Sequence, residues 1–197
     1  EEPVLHVLPH WNGIGTDSVD VHLYTNMDEV ELFLNGKSLG KKTVEKFDIP
    51  AWRVKYTPGK LLAKGKKDGK KYTELVETTG KPASLQLASE NGSSIQGDGN
   101  DVAIVTVKVL DAKGRVGPIA DNSIHCDVRN GKILGVGNGN PCSQEPDVFP
   151  EGSDVHRNAF NGYAQVLVSS DRSGQPIELT AVSEGLKESK IIVEVTK

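Results

Sequence analysis

A chain of 197 residues, 36% hydrophobic and 25% charged, has the composition of a globular protein able to bury one large β core or two small ones. Its net charge of −4, from 23 basic and 27 acidic residues, supplies no strong field for nucleic acid or an anionic membrane. No apolar run approaches the ~20 residues of a transmembrane helix, and two cysteines do not make a disulfide framework. No signal peptide is visible, so either the protein is cytosolic or a signal and upstream domains precede this stretch.

In chain order, the dominant period is two. Trp11, within Pro9-His10-Trp11-Asn12, sits outside any clear strand. Val19, Val21 and Leu23 then alternate with Asp20, His22 and Tyr24, and Val30, Leu32 and Leu34 lead to Asn35-Gly36. Asn-Gly between alternating segments predicts a two-residue hairpin, because both central residues of a type I′ turn need positive φ. Trp52, Val54 and Tyr56 alternate with Arg53, Lys55 and Thr57, a phase that puts Trp52 in a core, and Pro58-Gly59 turns the chain. Asp68-Gly69 joins Leu61–Lys66 to Lys71–Glu77 as another hairpin. At Thr79-Gly80-Lys81-Pro82 the pattern pauses; Pro82 cannot donate a ladder hydrogen bond and suits a strand start or a linker. Residues 1–80 carry 12 basic and 12 acidic side chains, and residues 81–197 carry 11 and 15, so the net charge belongs to the second half.

That half repeats the style. Leu85 and Leu87 mark a short strand, and Ala103, Val105, Val107 and Val109 share one face of a longer one. Asp111-Ala112-Lys113-Gly114 is a turn; beyond it Ile124, Cys126 and Val128 point one way, His125 and Asp127 the other. Lys132–Val136, Tyr163–Val168, Ile177–Val182 and Ile191–Val195 complete the set, while the polar segment Pro141–Asn158 reads as a long loop. Helical periodicity is absent from any window longer than about ten residues. Turn signals every 8–12 residues or so are the spacing of sandwiches. The expected fold is all-β: two tandem immunoglobulin-like antiparallel β-sandwiches, at residues 1–80 and 81–197.

Side-chain chemistry points away from catalysis. A glycosidase holds two carboxylates about 5–10 Å apart across the scissile bond, whereas Asp17/Asp20 and Asp28/Glu29 fall beside turns or on polar strand faces. His6, His10, His22, His125 and His156 stand singly, none in a metal motif with a second His or Cys. A site assembled from distant strands stays an open alternative; no metal ligand and no cofactor is assigned. Gly135-Val136-Gly137-Asn138-Gly139-Asn140 is not followed by a helix that could cradle phosphate, and reads as a tight bend or bulge. Gly97-Asp98-Gly99-Asn100-Asp101 lacks the length and closing Glu of a calcium loop and reads as a turn. No G-x-S-x-G elbow occurs. Cys126 is expected as a buried free thiol and Cys142 in a polar loop, a bridge between them being the open alternative. Trp11, Trp52 and Tyr24 are the candidates for stacking on a sugar ring.

Several of these stretches resemble a known family. Val4-Leu5-His6-Val7-Leu8-Pro9-His10-Trp11-Asn12 resembles the segment that leaves the catalytic barrel in Bacteroides-type glycoside hydrolase family 2 enzymes, although Gly13-Ile14 stands where the family often has a second Trp. Glu31-Leu32-Phe33-Leu34-Asn35-Gly36-Lys37-Ser38-Leu39-Gly40 is similar to the small domain that follows the barrel. Asp98–Val109, Gly135–Pro141 and Ala159–Val166 are similar to the family's C-terminal Ig-like domain. The resemblance implies non-catalytic accessory domains of a β-galactosidase-like enzyme, periplasmic or secreted. The catalytic glutamates would lie in the barrel, which needs ~250 residues with alternating helices.

The implied partners are the barrel of the same parent chain and a second subunit. Polysaccharide, captured through exposed aromatics, is the alternative, and an independent enzyme is the third reading. His10, Trp11 and Asn12 are the candidate interdomain or sugar contact. Trp11 is expected partly exposed, because an indole left in water forgoes roughly 2–3 kcal/mol of burial that a docked domain could supply.

Overall fold

The computed structural model describes residues 2–13, 15 and 17–196; Ile14, where the family pattern departs, lies outside the described residues. The chain divides into two compact units, Glu1–Thr79 and Gly80–Lys197. The described residues form strands, turns and bends, with no helix among them.

The first unit contains β1 (Leu5–Leu8), β2 (Ser18–Thr25), β3 (Glu29–Leu34), β4 (Lys37–Thr43), β5 (Ala51–Lys55), β6 (Lys60–Lys67) and β7 (Lys70–Glu77). They make a three-stranded sheet, β1-β2-β5, and a four-stranded sheet, β4-β3-β6-β7, all antiparallel. Alternation decides which face is buried: Val19, Val21 and Leu23 point inward with Val7, Trp52 and Val54, and meet Val30, Leu32, Leu61 and Ala63 of the other sheet. Asn35-Gly36 and Asp68-Gly69 close two-residue hairpins with φ of 50° and 84°, and 50° and 77°. Gly65 has a different task. A Cβ there would lie 2.6 Å from Met27 Cγ, so the missing side chain is what lets Met27 enter the core.

The second unit contains β8 (Pro82–Ser89), β9 (Ser94–Gln96), β10 (Val102–Asp111), β11 (Ser123–Arg129), β12 (Gly131–Gly137), β13 (Val155–Asn158), β14 (Tyr163–Ser170), β15 (Ile177–Val182) and β16 (Ser189–Thr196). One sheet has the order β12-β14-β10-β8 and the other β13-β11-β15-β16-β9, in which β16 and β9 pair in parallel. Val105, Val107, Val109, Val166 and Val168 from the first sheet pack on Ile124, Ile177, Leu179 and Val193 from the second. The ladder between β12 and β14 shifts register between Ile133 and Gly135, so the Gly-rich stretch begins in a bulge.

Three elements escaped the sequence pattern. β1 and β9 are too short to display a period. The last four residues of Pro141–Asn158, expected as loop, are β13, which pairs with β11. Its inward position is filled by Arg157, 6% exposed, where an apolar residue would have revealed a strand. Arg157 satisfies its charge locally. Its Nη1 donates to Asp147 Oδ1 at 2.8 Å and to the Glu145 carbonyl at 3.0 Å, fastening the preceding loop to the strand.

Candidate functional site

The structure brings His10, Trp11 and Asn12 together, but as a knot inside the first unit. Trp11 is 0% exposed, which overturns the expectation of a partly exposed indole. The cause is polar: Trp11 Nε1–H donates to the Thr57 carbonyl at 2.9 Å, so the ring is buried without leaving its donor unpaired. Its face rests on Tyr56, with centroids 5.2 Å apart and planes at 52°. Thr78 Oγ1 donates to the Trp11 carbonyl at 2.6 Å. Buried Asn12 donates from Nδ2 to Thr79 Oγ1 at 2.8 Å and accepts from the Thr79 amide at 3.2 Å, while its own amide donates to Nδ1 of half-buried His10 at 3.3 Å. The indole enters the core from the end of the sheets, and strand alternation carries no trace of it. Trp52, expected in the core, is 8% exposed; Lys42 Nζ lies 4.8 Å from its ring centroid.

The surface of the first unit is different at Glu45–Ile49. Phe47 is 91% exposed and sits at φ 71°, in a turn closed by Asp48 N donating to the Glu45 carbonyl at 3.0 Å. A bulky residue at positive φ is a genuine outlier, where Gly or Asn is the usual occupant. Ile49, two residues on, is 45% exposed.

In the second unit His125 on β11 and His156 on β13 are directly opposed across the strand pair. Their ring centroids are 5.5 Å apart, and Phe149 lies 5.2 Å from the His156 ring on its other contact. Asp154 joins them. His125 Nδ1 lies 2.9 and 3.0 Å from its two carboxylate oxygens, and His156 Nδ1 lies 2.9 Å from its carbonyl. The hydrogen bond from His125 holds the Asp154 carboxyl below the usual carboxylate range. One ligand atom from each of the three lies within 4.8 Å of the other two, so this group could hold a metal ion. Spacing could not reveal it, since the sheet register, not the chain, makes these residues neighbours. The one local signal is Asp154-Val155-His156, an i, i+2 pair at the start of β13.

The remaining motifs are structural. Asp98 Oδ1 accepts from the amides of Asn100 and Asp101 at 2.8 and 3.0 Å, an Asx turn that accounts for the lowered Asp98 carboxyl. Asn138 Oδ1 accepts from the Asn140 amide at 3.0 Å and Asn140 Oδ1 from the Cys142 amide at 3.0 Å, so the Gly-rich bend is tied by its own side chains. Both cysteines are free; Cys142 is exposed and Cys126, expected buried, is half-buried, with burial pushing its thiol up to about 12.

The glycoside hydrolase family 2 C-terminal domain 5 matches residues 85–192, more than half of the chain. The chain belongs to glycoside hydrolase family 2. A domain of unknown function (DUF4982) matches residues 16–73. The chain is 41% identical to a β-galactosidase of Bacteroides ovatus over 96% of its own length and 22% of that protein. It is 36% identical to a β-glucuronidase of Formosa agariphila, over 98% of the chain and 20% of that enzyme. Among solved structures it is similar to a β-glycosidase from Bacteroides vulgatus, with a TM-score of 0.87, 36% identity, 99% of this chain and 25% of that one. A family 2 member from Bacteroides cellulosilyticus superposes with a TM-score of 0.88 at 32% identity, over 96% of this chain and 24% of that one. The chain thus spans about a fifth to a quarter of the length of these relatives.

Proposed function

We propose that this chain is a non-catalytic accessory part of a β-galactosidase-like family 2 enzyme, and that it braces the catalytic barrel through the Phe47 loop of its first unit. The carrying observation is Phe47 itself: an almost fully exposed phenyl ring on a backbone at φ 71°. Such a turn costs about 1–3 kcal/mol in strain, and an exposed ring recovers none of it by burial. Covering Phe47 and Ile49 would recover roughly 2–4 kcal/mol, and aromatic residues are the usual anchors of interfaces. The length of the relatives supplies the occupant, since most of each lies outside the stretch that this chain matches. A second subunit is the other surface that could take the anchor.

Removing residues 1–197 from the parent enzyme tests this reading. The truncated enzyme should keep measurable hydrolysis of an aryl β-galactoside and inactivate at a lower temperature. The isolated chain should show no hydrolysis. A truncated enzyme as heat-stable as its parent would contradict bracing.

Sugar recognition has one observation of its own. Phe160 and Tyr163, 36% and 43% exposed, flank the Asn161-Gly162 turn and exchange backbone hydrogen bonds at 2.8 and 3.0 Å, which sets both side chains on one face. Retardation of the chain in a galactan-containing gel, lost in Tyr163→Ala, would favour that role.

A further inference from the structure

We propose that His125 and His156 form a two-histidine binding site for a divalent transition-metal ion of the zinc, nickel or copper class, with Asp154 as the residue that positions both rings. Directly opposed residues of an antiparallel pair carry their Cβ atoms about 4.5–5.5 Å apart, which lets two imidazoles reach a single ion. The tautomers favour it. Each Nδ1 faces an oxygen of Asp154, a carboxylate oxygen for His125 and the carbonyl for His156. Neither oxygen has a proton to give, so each Nδ1 carries the hydrogen. That leaves Nε2 as the atom of each ring that would bind the ion.

Metal-binding histidines commonly donate their second ring N–H to a carboxylate or a carbonyl in this way, which fixes tautomer and orientation. An ion at the usual distance of about 2.0–2.1 Å from each nitrogen would need those nitrogens within about 4 Å of each other. The His125 and His156 side chains are 43% and 41% exposed, so water can complete the coordination. Binding would clip β13 to β11 and so fix the end of the 141–154 loop.

The test is titration of the chain with Zn2+ against a chromophoric chelator, in a Cys142→Ser background that removes the exposed thiol. One equivalent should bind with a dissociation constant on the order of ten micromolar. His125→Ala and His156→Ala should each weaken binding roughly tenfold or more, and Asp154→Ala should weaken it by about tenfold while Asp154→Asn, which keeps an acceptor, recovers part of the loss. His22→Ala should change nothing. With Cu2+, electron paramagnetic resonance should show two imidazole nitrogens. Circular dichroism melting checks that each variant is folded; glutamine replaces alanine at any position where the transition is lost. Failure of the parent chain to compete for Zn2+ would overturn the proposal, as would wild-type affinity in the double His125/His156 variant.

Discussion

Pro9–Asn12 and Glu45–Ile49 both lie outside the alternating strands of the first unit, and both present an aromatic residue, yet Trp11 is 0% exposed and Phe47 is 91% exposed. Size and hydrophobicity do not separate them. Polar partners do. Trp11 is surrounded by groups that pair its indole N–H and its carbonyl, so the segment can be drawn into the core without an orphaned donor. Phe47 sits in a turn closed by a backbone hydrogen bond within itself, with Lys46 Nζ 5.1 Å from its ring centroid. An aromatic residue outside a strand is thus core where its backbone is tied to the unit, and exposed where it is tied only to itself.

Substitutions can break this contrast, and the largest effect belongs to Trp11. Trp11→Ala should destabilise the chain by about 3–5 kcal/mol in denaturant unfolding, since it empties a filled core site; a loss under 1 kcal/mol would mean the indole contributes nothing by its burial.

The second unit has a knot of the same kind, built on charge. The Asp111 side chain is 1% exposed. It accepts from Arg115 Nε at 3.0 Å and Nη2 at 2.6 Å, and from the amides of Gly80, Lys113 and Arg115. The Arg115 guanidinium, with those amides, holds its carboxyl well below the usual carboxylate range. A folded-state pKa depressed below the unfolded value stabilises fully above the unfolded value of about 3.9 and is lost as pH falls below it toward the folded one. Asp111→Asn should therefore cost about 3 kcal/mol near neutral pH, and its unfolding midpoint should depend less on pH than the parent's between about pH 5 and 2.

Asn12→Ala should cost about 1–3 kcal/mol, because the Thr79 amide and hydroxyl lose their partner in a part-buried setting. Smallest, and opposite in sign, is Phe47→Gly. Relief of positive φ should leave the chain as stable or up to about 1 kcal/mol more stable, and a measured loss of that size would show that the ring packs on its own unit after all.

What the sequence made legible was whatever its local chemistry decides. Asn35-Gly36 and Asp68-Gly69 announce their hairpins because the turn residues and the flanking alternation lie within a few positions. Trp52 is readable as core for the same reason. The fate of Trp11 is set by Thr57 and Thr78, 46 and 67 residues away, and no local pattern encodes that. β13 was hidden because an arginine fills its inward position, and the His125–Asp154–His156 group because only the register of β11 and β13 assembles it. Resemblance reached further than periodicity: the stretches Glu31–Gly40 and Gly135–Pro141 pointed to glycoside hydrolase family 2, which the matches over residues 16–73 and 85–192 bear out.

The bracing role is tested most directly by Phe47→Asp, introduced both into the isolated chain and into a family 2 enzyme that carries it, with thermal unfolding followed in each. An anchor covered by the barrel predicts an unchanged midpoint in the chain and a lower one in the enzyme, a loss of at least about 1 kcal/mol. Equal responses in the two proteins, or no response in the enzyme, would contradict the account.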